Sequence, residues 1–172
     1  MTPTIPTLET DRLILRAPVS RDFPAFAEFY ASDRSTYVGG PMDEPTTWRH
    51  FAATIGHWAL RGFGMWNVEL KQTGTWVGMV GCWYPIEWPE REIGWVVTAE
   101  GEGRSIGYEA ACAARDHAFD TLGWDTAVSY IDPANARSIA LADRLGAVRD
   151  AGAAHPGHAP CLVYRHSRGA PA

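Results

Sequence analysis

The chain has 172 residues, 46% of them hydrophobic, which suffices for one sizeable core and is too few for two full domains. A formal net charge of -5 lacks the clustered positive charge that displaces counterions from phosphates, so no nucleic-acid partner is expected. No run approaches the roughly 18 consecutive apolar residues of a membrane span, and the N-terminus, with Pro3 and Pro6, lacks the charged and apolar regions of a signal peptide, so the expectation is a cytoplasmic protein without a membrane partner.

Cys82, Cys112 and Cys161 are an odd number without C-x-x-C spacing, and suggest neither a disulfide framework nor a zinc site. Along the chain, Arg12 to Ala17 alternates charged and apolar residues and reads as a strand with Leu13 and Leu15 on one face. Ser20 precedes Phe23, Phe26, Ala27 and Tyr30 at helical spacing, which predicts a capped helix to about Ala31. After the break at Gly39-Gly40-Pro41, Thr46 or Thr47 caps a second helix carrying Trp48, Phe51, Ile55, Trp58 and Ala59, and Gly62 stops it.

The period then changes to two. Gly64 to Leu70, Trp76 to Trp83 and Arg91 to Val97 predict an antiparallel meander, joined by the tight Lys71–Gly74 connection and by the longer, proline-bounded Tyr84–Glu90 segment. The second half alternates: a helix from about Ser105 to Leu122, a strand from Thr126 to Ile131, a helix from Ala136 to Leu145, and strands near Ala147 and Leu162. Ala151 to Pro160, rich in Ala, Gly, Pro and His, reads as a mobile connection, and Gly169 to Ala172 as a frayed tail.

Two stretches carry chemistry. Glu92 to Ala110 is strand, Gly-rich turn and helix; Gly101, Gly103 and Gly107 let backbone approach a ligand closely, and free N–H groups at the helix start suit a pyrophosphate. A turn without a ligand fits the same glycines. No Gly-Lys-Ser/Thr follows them and no strict G-x-G-x-x-G opens a longer doubly wound pattern, which speaks against nucleotide hydrolysis and hydride transfer. The second stretch is Tyr130 to Gly146, where Asp132 or Asn135 starts a helix that buries Ile139, Leu141, Ala142 and Leu145. His155 and His158 could chelate a metal, but no third ligand or ordering strand accompanies them, so no metal is expected.

In order and spacing these elements resemble the GNAT superfamily of N-acetyltransferases, in particular its RimJ/RimL-like branch of ribosomal-protein N-terminal acetyltransferases. The likeness rests on Glu9-Thr-Asp-Arg-Leu-Ile-Leu-Arg16, the Gly39-Gly40-Pro41 turn, the hairpin Val77-Gly-Met-Val-Gly81, Glu92-Ile-Gly-Trp95, and Asn135-Ala-Arg-Ser-Ile139 with Leu145-Gly146. It implies an α/β (α+β) GNAT fold: one mixed, mostly antiparallel splayed sheet of about six to seven strands flanked by about four helices, forming a single domain over residues 1–168. It also implies acetyl-CoA as co-substrate, with the pantetheine arm against Trp95, Val96, Val97 and Thr98 and the pyrophosphate on Gly103, Arg104, Ser105, Ile106 and Gly107; Asn135 and Ser138 match positions that approach the cofactor. Local roles, a cap for Asn135 and a first-turn residue for Ser138, stand beside this.

Three departures matter. Glu100 puts an acid where the family's loop carries Gln or Arg, Ser105 replaces a Gly or Ala, and Ala142 stands where many members place the tyrosine that protonates the departing thiolate. Arg104 is expected to compensate by pairing with a phosphate. Glu92 is the candidate base, with a solvent-facing strand carboxylate as its plain alternative, and Glu69 is the fallback. Of eight tryptophans, Trp83 and Trp88, with Tyr84, are expected on the acceptor side, where Glu87 and Glu90 could offer charge to a cationic amine. The implied partner is an amine acceptor, a small molecule or a protein N-terminus, and a homodimer is left open. The resemblance also admits a non-catalytic acyl-CoA-binding sensor of the same fold, which Ala142 motivates.

Overall fold

The computed structural model describes residues 4–169; residues 170–172, most of the expected frayed tail, lie outside them. Among the described residues the chain runs β1 (Leu8–Glu9), β2 (Leu13–Arg16), α1 (Phe23–Ala31), α2 (Glu44–Arg61), β3 (Met65–Leu70), β4 (Trp76–Trp83), β5 (Glu92–Val97), α3 (Ile106–Asp116), β6 (Thr126–Ile131), α4 (Ala136–Arg144), β7 (Val148–Arg149) and β8 (Leu162–Ser167). The strands form one eight-stranded sheet in the order β1-β2-β3-β4-β5-β6-β8-β7. All neighbours are antiparallel except β5 and β6, which meet in parallel at the single pair Glu92 and Val128. The expected six to seven strands include the one near Ala147, which is β7; the eighth is β1, an edge strand of two residues, too short for a periodic signal.

Strand alternation builds two cores. Trp66, Val68, Val80, Cys82 and Ile93 point to one face and pack against Ile106, Ala110, Ala111 and Ala114 of α3. Met65, Met79 and Val96 point to the other, against Phe26, Phe29 and Tyr30 of α1 and Phe51 of α2. Because both faces are covered, β3 and β4 read as near-continuous apolar runs, and each fully buried large side chain contributes roughly 1.5–3 kcal/mol. Close strand approach fixes Gly81, where a Cβ would sit 2.3 Å from the Gly64 carbonyl oxygen.

Helix starts differ from expectation in informative ways. Ser20 opens a 3₁₀ turn, Ser20–Asp22, rather than capping α1; the Asp22 carboxylate instead accepts from the Val19 N–H at 2.9 Å. That carboxylate, 4% exposed, also receives both terminal nitrogens of Arg16 at 2.7 and 2.8 Å and Asn67 Nδ2 at 2.7 Å, tying β2 and β3 to the start of α1. The second helix begins earlier than Thr46 or Thr47: Asp43 is the cap, its side chain accepting from the Thr46 N–H at 2.8 Å, and Pro45 fits the first turn because its missing N–H would have no helical partner. The third helix leaves α geometry at His117 and finishes as a π turn to Thr121.

Candidate active site

The parallel junction of β5 and β6 creates the site. Val128 N–H donates to the Arg91 carbonyl at 3.0 Å, and the next rung of a parallel ladder would join Tyr130 N–H to the Ile93 carbonyl. That rung is open. Tyr130 N–H goes to Glu92 Oε1 at 3.3 Å, and the Ile93 carbonyl accepts the Ser129 hydroxyl at 2.6 Å. Farther along, the Val97 carbonyl accepts from Arg34 at 3.2 Å. Alternation along β5 therefore turns the Trp95 N–H and carbonyl, between these two, into the gap where the strands part.

The gap widens into a cleft of about 490 Å³. One wall is the C-terminal half of β5, another is the Gly-rich turn and first turn of α3, and the third is α4. Trp95, Val96, Val97, Gly103, Ser105, Ile106, Gly107, Asn135 and Ser138, all named from sequence, line it. At Gly107 an added Cβ would lie 3.0 Å from Val97 Cγ2 and 3.4 Å from Leu141 Cδ2, so a side chain there would crowd the floor. Ser105 holds a left-handed φ of 60°, a strained position for a non-glycine residue at the mouth of a helix.

Two residues assigned to the cofactor lie elsewhere. Thr98 belongs to the turn, accepting from the Gly101 N–H through its carbonyl at 3.1 Å, and Arg104 stands outside the cleft lining with its carbonyl bound to Arg12 at 2.9 Å. The guanidinium groups that do line the cleft are Arg34, Arg137 and Arg144. Arg137 meets Glu102 at 2.8 and 2.9 Å, and Arg34 meets the same carboxylate at 2.7 Å, so Glu102 joins two sides of the cleft mouth and is held below the usual carboxylate range, chiefly by Arg137 and then by Arg34. Arg144 stacks 3.9 Å above the Tyr108 ring and donates to Ser105 Oγ at 2.8 Å. These arginines come from two segments far apart in sequence, Arg34 between α1 and α2 and Arg137 with Arg144 on α4, and only the Asn135-Ala-Arg-Ser motif offered a local signal for one of them.

A smaller cavity of about 60 Å³ adjoins the cleft and shares Tyr37, Val38, Trp95, Asn135 and Ser138 with it. Glu92 lines this cavity. Its carboxylate lies over Gly94, where an added Cβ would come 3.7 Å from Glu92 Cδ, and Trp88 Nε1 donates to Oε2 at 2.6 Å. Burial pushes this acid up to about 7, against the opposing pull of the Trp88 and Tyr130 hydrogen bonds. Ser138 Oγ accepts from Trp95 Nε1 at 3.1 Å, which leaves the serine proton free to donate. Asn135 caps α4 by accepting from the Ser138 N–H at 3.2 Å, its local role.

The remaining sequence candidates fall outside. Glu69 is bound to Arg16 at 2.7 Å on β3, away from both cavities, which removes it as a fallback base. Trp83 stacks on His57 with ring centroids 4.3 Å apart and faces Glu92 across the β4–β5 ladder, and Tyr84 donates its N–H to His57 Nε2 at 2.9 Å; neither lines either cavity, and of the acceptor-side trio Trp88 is the one that donates a side-chain hydrogen bond to the Glu92 carboxylate. Glu90 is engaged by Arg165 at 2.8 and 2.9 Å. Ala142 is fully buried. Among the described residues no helix is long and apolar enough to cross a membrane, and no group of three His, Cys, Asp or Glu side chains is gathered as for a metal.

Comparison with known proteins agrees with this geometry. A structure of the acetyltransferase from Agrobacterium tumefaciens is 43% identical and superposes with a TM-score of 0.91, covering 96% of each chain. The uncharacterized protein YkkB of Bacillus subtilis is 30% identical over 149 residues, 81% of this chain and 83% of its own. RimL, a ribosomal-protein α-N-acetyltransferase solved with coenzyme A, shares the fold with a TM-score of 0.73 at 18% identity, over 94% of this chain and 97% of its own. Residues 12–148 match the acetyltransferase (GNAT) domain family, and with that match the chain belongs to the GNAT acetyltransferases, which are acyltransferase enzymes.

Proposed function

We propose that the protein transfers an acetyl group from acetyl-CoA to a primary amine of low pKa, an α-amino group of a protein N-terminus or of a small amino compound. The observation that carries this is the adjacency of the two cavities: a long cleft lined by Arg34, Arg137 and Arg144 shares Trp95 and Ser138 with a small pocket that Glu92 lines.

The cleft fits the cofactor's chemistry. Arg137 and Arg144, with the first-turn N–H groups of α3, suit a pyrophosphate, and Val96 and Val97 offer apolar wall and backbone edge to a pantetheine arm. Acetyl-CoA, when bound, supplies an activated acyl group that an amine can attack directly. The Trp95 N–H, turned into the gap, is the donor available to oxygen charge that develops at the reacting carbonyl. Glu92, with its pKa near 7, takes the amine's proton; an α-amine, at about 8, needs a base of only this strength, whereas a lysine at about 10.4 needs more. The tyrosine missing at position 142 is replaced in this reading by Ser138, whose free proton faces the junction of the cavities.

The test is thermal stabilisation by acetyl-CoA, followed by thiol release with a panel of N-terminal peptides, small α-amines and lysine side-chain mimics. Turnover with α-amines is expected. Turnover confined to lysine-like amines would overturn the acceptor assignment, and no stabilisation at saturating acetyl-CoA would overturn the assignment of the cleft.

A further inference from the structure

The cleft opens where β5 and β6 part beyond the single pair Glu92 and Val128, yet parallel strands gain hydrogen bonds by staying paired. Here the rung that would continue the pairing is taken over on both sides by side chains. The Ile93 carbonyl, which Tyr130 N–H would otherwise serve, receives the Ser129 hydroxyl at 2.6 Å, and Tyr130 N–H is satisfied by Glu92 at 3.3 Å. Buried backbone groups left unpaired are costly, so these two substitutions are what make an open rung tolerable.

Ser129 is itself held. His166 Nε2, on β8, lies 2.8 Å from Ser129 Oγ. Since the serine proton is committed to the Ile93 carbonyl, the imidazole must be the donor, which places its proton on Nε2 and leaves Nδ1 as a bare lone pair. Nδ1 is indeed buried without a hydrogen-bond partner, and the whole residue is 1% exposed. The imidazole meets the Trp95 indole edge-on with ring centroids 6.4 Å apart. Burial holds it neutral, so one tautomer serves across physiological pH. A buried chain thus runs from β8 through β6 to β5: imidazole N–H, serine hydroxyl, Ile93 carbonyl.

The next donor along β5 on that edge is Trp95 N–H, which a closed rung would hand to the Tyr130 carbonyl. We propose that Ser129 and His166 are positioning residues that hold β5 and β6 apart by one rung and so keep the Trp95 N–H free and aimed at the reacting carbonyl. The catalytic part rests on the reading of Trp95 given above; the structural part does not.

The experiment compares wild type with Ser129→Ala and Ser129→Thr. Hydrogen exchange at the Trp95 amide, which needs no substrate, is expected to slow at least tenfold in Ser129→Ala as the rung closes, and to return to the wild-type rate in Ser129→Thr, which keeps the hydroxyl. In the acetylation assay Ser129→Ala is expected to lose about tenfold to a hundredfold in kcat, as misplacing a reacting geometry does, with CoA affinity within threefold of wild type and kcat recovered in Ser129→Thr. An unchanged Trp95 exchange rate, or a threonine variant as slow as the alanine one, overturns the proposal. If Ser129→Ala does not fold, the same readouts on His166→Phe decide, with a severalfold loss of kcat expected and unchanged kcat refuting. A wild type that turns over no amine would defeat the proposed function while leaving the exchange arm to judge the open rung.

Discussion

Replacing Glu92 by Gln separates catalysis from stability, because the same burial that tunes the carboxylate opposes its ionisation. Its pKa rises from the ordinary 4.5 to about 7. At 1.36 kcal/mol per pH unit the ionised form is disfavoured in the folded protein by about 3 kcal/mol. The folded state keeps this proton up to about pH 7 and the unfolded state only up to about 4.5. Stability from this group is therefore full below 4.5, declines between 4.5 and 7, and stays low above. Glutamine does not ionise, so relative to wild type Glu92→Gln gains roughly 2–3 kcal/mol between pH 5 and pH 8, or about 5–10 °C in Tm for a chain of this size. The loss of one acceptor toward Trp88 or Tyr130 lowers both ends of that comparison equally. On the proposed role of Glu92 as general base, catalysis moves the other way: its loss should cost about 10²- to 10⁴-fold in kcat, and the limb of the pH–rate profile near 7 should vanish while the limb from the acceptor amine remains. Parallel thermal melts and initial rates from pH 5 to 9 read both. A variant within threefold of wild-type kcat, or a Tm difference that does not change with pH, would refute the reasoning.

Other perturbations follow from contacts on the same elements. Glu102→Gln releases Arg34 and Arg137 for anionic ligand groups; calorimetry should show CoA binding severalfold tighter, the gain shrinking as salt is raised, and equal or weaker binding would contradict the assignment of the cleft mouth. Asp22→Ala leaves Arg16 and Asn67 without their shared partner in a buried place and should cost about 3–5 kcal/mol in urea unfolding. In wild-type Asp22 desolvation pushes the carboxyl up, but the hydrogen bonds from Arg16, Val19 and Asn67 together outweigh it and hold it below the usual carboxylate range, so its stabilising share is present above the unfolded value of 3.8 and lost as pH falls further. Gly81→Ala drives a Cβ into the Gly64 carbonyl and should destabilise by at least about 2 kcal/mol, measured by chemical denaturation.

The sequence determined what depends on neighbours in the chain. Apolar periodicity placed α1 to α4 and β3 to β6 within a few residues, because burial of one face per element repeats every two or 3.6 positions. The Gly-rich turn was legible as a strand end running into a helix start, whereas Asn135 and Ser138 were named through the family resemblance and Glu92 through that resemblance together with its place on the expected strand. Caps were less so, since Asp43 and Thr46 both satisfy the residue preference and only hydrogen-bond geometry chooses between them.

Tertiary structure alone decided the chemistry between segments. Glu102 meets Arg137 across 35 residues and Arg34 across 68, and Ser129 meets His166 across 37, separations at which no sequence period survives. Arg104 looked like the phosphate partner because it neighbours the glycines, but Arg34, Arg137 and Arg144, not Arg104, line the cleft. The pKa of Glu92 is likewise a property of place: the residue type gives a carboxylate, and only the desolvated pocket beneath Trp88, beside an open rung of the sheet, brings it to about 7.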